Sequence, residues 1–388
     1  MEGLRRPVVV GGSGQLGRFL VPKLAQSQGC ERVLVLDMRP PERDILEKVG
    51  SDKVEFVHHR LGKDNIEDIA CAIKGADCIF SILTPPLQSA TESDFYSTNV
   101  HGLKRLLEVC ARAGVPRFVH LSSVALTNFE IPKSEFREDS PLPPLSTYRS
   151  LYDITKRLGE EAVLAADDER SMRTCVLRPC GICLSAHDNM LGNMLGAALP
   201  GVMFVPRHCE PVDMIDANDL CQAMLLAGRA LAERPAEVGG EAFFLTKGET
   251  MSAREFVEMT AEMLGWRVIL IPDFVHNLVL ATCHLAHHVQ KALGCQLLGC
   301  PLHVFWSYHM YEQTFDNSKA RQHLHFKSEC SIRASVARVL AEYKQEGGVE
   351  RKKEQVMRAC AALGCAVSVL TCLSWVWSRR STMVTLTR

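Results

Sequence analysis

Tyr152 and Lys156 stand four residues apart in YRSLYDITKRLGE (148–160), a run with no Gly or Pro before Gly159. On a helix, positions i and i+4 share one face, so the phenol and the ammonium project into the same space. A tyrosine titrates near ~10 in water, and a cation held close favours the phenolate and draws that value down. A tyrosine tuned in this way takes a proton from an alcohol as hydride leaves the alcohol carbon. The Y-x-x-x-K spacing alone arises often by chance. Its meaning depends on whether the rest of the chain builds a cofactor site around it.

The N-terminal stretch supplies the first part of such a site. Pro7-Val8-Val9-Val10 is a short β-branched run that stops at Gly11-Gly12-Ser13-Gly14-Gln15-Leu16-Gly17. A helical pattern follows, then a second apolar run, Arg32 to Leu36, which ends at Asp37. Strand, glycine turn, helix, strand and acid make the βαβ arrangement that binds a dinucleotide. Gly11 makes the tight turn, Gly14 lets the backbone approach a pyrophosphate, and Gly17 lets helix and sheet pack closely, with the helix N-terminus facing the phosphates. The Asp37 carboxylate can accept from both ribose hydroxyls and repels a 2′-phosphate, which favours NAD. Arg39 is of the type that holds a 2′-phosphate and keeps NADP as the lesser alternative.

The alternation continues through strands at Val54–Val57 and Asp77–Ile82, a helix at Ile66–Lys74, a long helix over Phe95–Ala113 and a fifth strand at Arg117–Leu121. The expected fold is α/β, a Rossmann-type doubly wound parallel sheet with ligands gathered at the C-terminal strand ends. Ser123 follows the fifth strand, 29 residues before Tyr152. Its hydroxyl can hydrogen-bond the reacting oxygen, although alone it would read as a serine that begins a loop.

At 388 residues and 47% hydrophobic, the chain can bury a large core, and its length suits two or so domains. A net charge of −1 gives no global field for nucleic acid. The 16 cysteines are scattered among apolar residues, and the N-terminal stretch carries no secretory apolar run. They read as reduced thiols in a cytosol-facing protein.

Glycine turn, Ser123, Tyr152 and Lys156 together resemble the extended short-chain dehydrogenase/reductase family. Asn99-Val100-x-Gly102 is similar to its N-V-x-G, Leu177-Arg178-Pro179-x-Gly181-Ile182 to its L-R-P-x-x-I strand, and Val212-Asp213-Met214-Ile215 to its V-D-F-V segment. The late blocks Gly239–Phe243 and Ser252–Phe256 fit the strand and helix that follow, so the likeness runs from about residue 7 to 345. Within the family the chain looks most like the 3β-hydroxysteroid dehydrogenase group and its decarboxylating sterol-4α-carboxylate branch, through S-x-x-T-P-P, F-Y-x-x-N-V and Ser122-Ser123-Val124. The resemblance implies that Tyr152 accepts the proton, Lys156 binds the nicotinamide ribose, Ser123 orients the alcohol and Asn99 supports the active-site helix. It places Gly11, Gly14, Gln15, Leu16, Gly17, Asp37, Arg39, Leu61 and Pro179 around the cofactor, with Tyr152 and Lys156. The implied reaction oxidises a sterol 3β-hydroxyl, and with a 4α-carboxylate the β-keto acid product loses carbon dioxide. A 3β-hydroxysteroid dehydrogenase/isomerase, a reductase of another bulky alcohol and a non-catalytic dinucleotide-sensing scaffold remain as alternatives.

Four positions depart from the family pattern. Gln15 replaces the usual aromatic, and Arg60, before Leu61, replaces the Asp that contacts adenine. Asp216 replaces an aromatic or His, and Leu184–Asp188 replaces G-P-x-D; both of these lie on the expected substrate side.

The implied organisation is an NAD-binding Rossmann core over 1–183, a mainly substrate-binding part over 184–345 that returns elements to the core, and a charged linker with a C-terminal hydrophobic helix over 346–388. Residues 359–377 hold no charge for 19 positions, roughly the ~30 Å of a hydrocarbon core, with Trp375 and Trp377 at the far end. This predicts a membrane anchor, with a helix docked on the body or lying in the interface as the alternative, and a catalytic body facing the cytosol; a membrane home, expected at the endoplasmic reticulum, suits the sterol that the resemblance implies. By resemblance, a homodimer would pair helices at Phe95–Ala113 and Tyr148–Ala166. Cys175-x4-Cys180-x2-Cys183 mimics a ferredoxin spacing without a fourth ligand nearby. His276, His284, His287 and His288 fall in one apolar helical stretch with no second ligand motif, so no metal is expected. That stretch, rich in Leu, Val and Ala, suits a cap over a sterol pocket or a helix on a bilayer surface.

Overall fold

The computed structural model describes residues 3–50, 52–85, 90–183, 195, 198–199, 201–292, 310–345 and 347–348. From the N-terminus, β1 (Pro7–Val10) leads through the glycine turn into α1 (Gly17–Ala25) and β2 (Val33–Asp37). Then come α2 (Arg43–Val49), β3 (Val54–His58), α3 (Glu67–Ala72), β4 (Cys78–Ser81), α4 (Glu92–Tyr96), a π-helical turn (Ser97–Gly102), α5 (Leu103–Arg112) and β5 (Arg117–Leu121). A 3₁₀ turn (Val124–Thr127), β6 (Lys133–Phe136), α6 (Leu151–Ala165), β7 (Arg173–Pro179) and β8 (Gly181–Cys183) follow. The chain continues through β9 (Val202–Pro206), β10 (Pro211–Asp216), α7 (Ala217–Glu233), α8 (Pro235–Val238), β11 (Glu241–Leu245), β12 (Thr250–Ser252) and α9 (Ala253–Leu264). It then forms β13 (Arg267–Ile271), α10 (Asp273–Ala292), β14 (Gln313–Phe315), α11 (Ser318–His323) and α12 (Ile332–Gln345).

Seven strands form one wholly parallel sheet in the order β3-β2-β1-β4-β5-β7-β11. Such a sheet is covered on both faces, which is why its inner strands read as unbroken apolar runs. On one face α1 and α7 bury Leu20, Leu24, Leu220 and Met224 against Val9, Val35 and Phe80. On the other, α3, α5 and α6 bury Ile69, Leu106 and Val163 against Val8, Val10 and Phe118. The result is a three-layer Rossmann-type fold. Strand β11 returns to the sheet edge after α7 and α8, so residues beyond 183 complete the core.

A smaller sheet, β12-β10-β14-β6 with β8 on β10, stands at the C-terminal side of β7. A further apolar cluster joins α9 and α12 to the β9–β13 pair through Phe256, Val257, Val336, Leu340 and Met203. Helix α9 opens on a capping box in which Ser252 and Glu255 satisfy each other's backbone N–H groups, and it closes at Gly265 in the left-handed region (φ +70°).

The single long helix expected over Phe95–Ala113 is three pieces. It starts earlier, on a Thr91–Asp94 capping box, and widens into the π turn at Ser97–Gly102. Helix α6 begins at Leu151, so Tyr148 lies outside it and donates its hydroxyl to the Leu126 carbonyl. The 359–377 stretch and Leu184–Asp188 lie outside the described residues. Among the described residues no helix is long and apolar enough to cross a membrane, and no group of three or more His, Cys, Asp or Glu could hold a metal ion. Cys175 and Cys180 are buried free thiols, and burial pushes both far above the ordinary thiol range.

Candidate active site

The glycine turn is shaped by contacts that leave no room for side chains. Gly11 has φ +89°, and a Cβ there would lie 2.8 Å from the Leu83 Cα. A Cβ on Gly17 would sit 1.9 Å from the Gly12 carbonyl oxygen, so α1 can start here only on glycine. Gly14 differs: its only near neighbour would be the Gly11 carbonyl oxygen at 3.2 Å. A Cβ there would press on that one oxygen and otherwise meet open space, as the expected approach of a pyrophosphate requires. Gln15 is exposed, and Leu16 is buried at the N-cap of α1.

Asp37 ends β2 and is tied back to the turn. It accepts from Ser13 N–H at 3.0 Å and from Met38 N–H at 2.7 Å, while the Ser13 hydroxyl donates to the Arg39 carbonyl at 2.6 Å. Turn and acid therefore form one bonded unit at the C-terminal edge of β1 and β2. That unit fits a dinucleotide, with phosphates against the turn and ribose against the carboxylate. Leu61 is buried and packs toward Gly102, Arg60 donates its N–H to the Asp64 carboxylate at 2.7 Å, and Pro179 closes β7 opposite Leu245.

Helix α6 presents Tyr152, half-buried, and Lys156, 3% exposed. Lys156 Nζ donates to the Leu121 carbonyl at 2.9 Å and lies 5.9 Å from the Tyr152 ring centroid. This bond fixes the ammonium two residues before Ser123, so α6 and the end of β5 meet where the expected pair and serine converge. Burial lowers the Lys156 pKa to about 8, and the neighbouring Glu160 opposes the shift. His120, bonded to the Ser81 hydroxyl at 3.2 Å, is held neutral, first by burial and then by the Lys156 charge. Ser123 caps the 3₁₀ turn, its Oγ accepting from Ala125 N–H at 3.1 Å, and α6 packs against that turn.

Asn99 sits in the π turn, buried, and its Nδ2 donates to Thr155 Oγ1 at 3.1 Å. Thr155 passes the contact on to the Leu151 carbonyl at 2.8 Å, next to Tyr152. The π turn reaches α6 because Gly159 is bare: a Cβ there would come within 2.5 Å of the Asn99 carbonyl oxygen. A π turn rearranges the local hydrogen bonding, and such turns recur at functional sites. Gly159 and Thr155 were not singled out from the sequence. Their signal is a small residue and a hydroxyl on the face of α6 that carries Lys156.

Three further ionisable groups are buried near α6. Glu160 pairs with Arg178 on β7 at 2.6 Å, with exposures of 3% and 6%. Lys133 Nζ donates to the Ile131 carbonyl at 2.6 Å and to Gln313 Oε1 at 3.2 Å, and burial lowers its pKa to about 7. Asp153, beside Tyr152, is pushed up to about 8 by burial. Asp216, by contrast, does not line an open substrate side. It is the N-cap of α7, 1% exposed, accepting from Asn218 and Asp219 N–H and from Lys247 Nζ at 2.9 Å. Burial alone would raise its pKa, but Ser335, Asp219 and Lys247 outweigh that and hold it at about 2.

Fold and site together define an extended short-chain dehydrogenase/reductase. A family model described as the 3-beta hydroxysteroid dehydrogenase/isomerase family matches residues 8–269, and the chain belongs to that family. An Arabidopsis thaliana protein, 3beta-hydroxysteroid-dehydrogenase/decarboxylase isoform 1, is 26% identical over 366 residues, covering 90% of this chain and 82% of that protein. The Mus musculus sterol-4-alpha-carboxylate 3-dehydrogenase, decarboxylating, is 29% identical over 250 residues. That match covers 63% of this chain and 65% of the mouse protein, just under two thirds of its length. Among solved structures, DesIV, a dTDP-glucose 4,6-dehydratase from Streptomyces venezuelae, superposes with a TM-score of 0.65 at 20% identity, covering 88% of this chain and 98% of its own. That likeness is one of fold.

Proposed function

We propose that this chain oxidises the 3β-hydroxyl of a sterol with NAD, the substrate being a 4α-carboxysterol that then loses carbon dioxide. As a member of its family, the chain is an oxidoreductase of CH–OH groups. The observation that carries the reading is the placement of Lys156: buried, anchored on the Leu121 carbonyl, beside Tyr152 and two residues from Ser123. The names of the plant and mouse relatives support the sterol and the decarboxylation. Asp37, locked to the glycine turn, favours NAD over NADP.

In this reading the Ser123 hydroxyl donates to the substrate oxygen and orients it, and Tyr152 Oη takes the hydroxyl proton as the C3 hydride departs. NAD, when bound, supplies the hydride acceptor. The Lys156 ammonium stabilises the phenolate and hydrogen-bonds the nicotinamide ribose. Asn99 acts through Thr155 on the helix that carries both. The C3 ketone then sits β to the 4α-carboxylate, whose C–C bond breaks with its electron pair passing into the ketone as an enolate. No separate decarboxylating residue is needed.

The cofactor is assigned to the Rossmann core over 1–183 and the sterol mainly to 184–345. The uncharged 359–377 stretch is assigned as a membrane anchor after a charged linker, holding a cytosolic body at the endoplasmic reticulum, where a water-insoluble sterol is found. A homodimer through the outer helices is part of the same proposal. The test is reduction of NAD, and separately of NADP, by detergent-solubilised full chain given a 4α-carboxysterol, with released carbon dioxide counted. NADH formed with carbon dioxide supports the reading. NADH formed only with a plain 3β-hydroxysteroid moves the assignment to the dehydrogenase/isomerase reaction. Tight cofactor binding without turnover on either leaves a dinucleotide-sensing scaffold.

A further inference from the structure

Helix α6 carries a carboxylate where it could disarm its own lysine. Glu160 follows Lys156 by one helical turn, on the same face, and each is 3% exposed. A carboxylate at i+4 is within ordinary reach of an ammonium at i, and buried charges are poorly screened from each other. Yet Lys156 Nζ donates to the Leu121 carbonyl on β5 at 2.9 Å, and the carboxylate turns to Arg178. Arg178 lies on β7, opposite Phe244 of β11. Its Nε donates to both Glu160 oxygens, at 3.0 and 3.2 Å, while Nη2 donates to Oε1 at 2.6 Å. The guanidinium rests 5.1 Å from the Phe244 ring centroid. Both carboxylate oxygens are therefore engaged from the sheet side, by a planar fork that a point-charge ammonium cannot reproduce.

Such a bond is a poor device for merely holding α6 on the sheet. Burying two charges offsets most of their attraction, and an apolar pair of similar volume often packs as stably. A further cost falls on Arg178, whose Nη1 is buried with no hydrogen-bond partner among the described residues. The arrangement suits a carboxylate that is needed near the lysine but not on it. From one turn away Glu160 supports the Lys156 ammonium, which burial pulls towards the neutral amine. His120, which acts on Lys156 from β5, is neutral and supplies no counter-charge.

We propose that Arg178 is a positioning residue that sequesters Glu160, so that Lys156 keeps its ammonium free for the nicotinamide ribose and the Tyr152 phenol. The proposal rests on the reading of Lys156 as the ribose-binding residue. The test is NADH affinity of the detergent-solubilised full chain, titrated by fluorescence at about pH 7 with no sterol present. Arg178→Gln should weaken NADH binding about tenfold, because Glu160 is released to pair with Lys156. Arg178→Lys keeps the charge but not the fork; it should weaken binding about threefold, and it stands in where the glutamine variant does not fold. Arg178→Gln/Glu160→Gln removes the competitor together with the guanidinium and should return affinity to within about twofold of wild type. In that double variant the alkaline loss of affinity should begin at lower pH than in wild type, because the support of Glu160 for the ammonium has gone. Lys156→Met sets the scale of the contact. Weak binding in Lys156→Met, beside wild-type binding in the folded Arg178 variants, would overturn this proposal and leave the ribose role of Lys156 intact. Wild-type binding in Lys156→Met would overturn that role and the proposal with it. A loss in Arg178→Gln that the second glutamine does not restore would reduce the pair to a packing bond between α6 and β7.

Discussion

Lys156 and Lys247 are both buried, at 3% and 8% exposed, yet their surroundings push them in opposite directions. Lys247 Nζ sits between Asp216 at 2.9 Å and Asp219, which in turn accepts from the Ser328 hydroxyl at 2.6 Å and Glu329 N–H at 2.9 Å. Burial would lower its pKa, but the two carboxylates outweigh that and raise it. The network ties the start of α7 to the segment after β11 and to the start of α12. Lys156 donates to a backbone carbonyl, and the carboxylate that acts on it, Glu160, is itself paired with Arg178. A buried charge surrounded by counter-charges holds elements together. A buried charge left short of them is available to act on something else, which in the proposed mechanism is the phenol of Tyr152 and an incoming ribose.

The sharpest way to break this comparison is at the tyrosine. Tyr152→Phe should lower turnover by about 10²- to 10⁴-fold while cofactor affinity, read by titration, stays within about twofold. Lys156→Met should also cost turnover yet leave the unfolding free energy unchanged or higher, since it removes a charge that burial disfavours. Lys247→Met should do the reverse. It strands Asp216 and Asp219 against each other and should cost about 3–5 kcal/mol in urea unfolding, with normal turnover per folded molecule. If the two methionine variants lost similar stability, the distinction between the two lysines would fail. A smaller effect is expected from Gly159→Ala, whose Cβ must push the Asn99 carbonyl from 2.5 Å. Overpacking of that size costs about 1–3 kcal/mol, and turnover should fall beyond the stability loss because Asn99 holds Thr155.

The active-site side of the comparison was largely legible in the sequence, and the structural side was not. Parallel strands covered on both faces must be apolar throughout, so β1, β2 and β5 announce themselves. The Gly11 turn does so through its spacing before a helix and an acid. Tyr152 and Lys156 are readable because an i, i+4 relation is local. The π turn is not local: Phe95–Ala113 reads as one helix, and the turn sits in close contacts with distant residues, its own Gly102 against Leu61 and its Asn99 against Gly159 of α6. Lys247 reads as an ordinary lysine after a strand, because its partners lie 31 and 28 residues upstream. The same reason moved Asp216 from an expected pocket wall to the cap of α7.

The finest test of the comparison is its pH dependence. The folded-state pKa of Lys156, about 8, lies below its ordinary 10.5, so between those values the unfolded chain keeps a proton that the folded chain has released. Stability rises with pH wherever the unfolded state binds more protons, so the Lys156 contribution should increase from pH 8 to 10.5. Asp216 has the same sign of slope in a separate window: its folded pKa of about 2 lies below its ordinary 3.8, so the stability it confers is present above 3.8 and lost as pH falls through 2. Unfolding of cofactor-free wild type and Lys156→Met, compared point by point from pH 7 to 10, cancels every other titrating group. The wild type should gain on the variant across this range, while its turnover declines above about pH 8 as the ammonium that sustains the phenolate is lost. A gap that stayed constant with pH would mean that Lys156 has a partner for its charge after all, and that it belongs with Lys247.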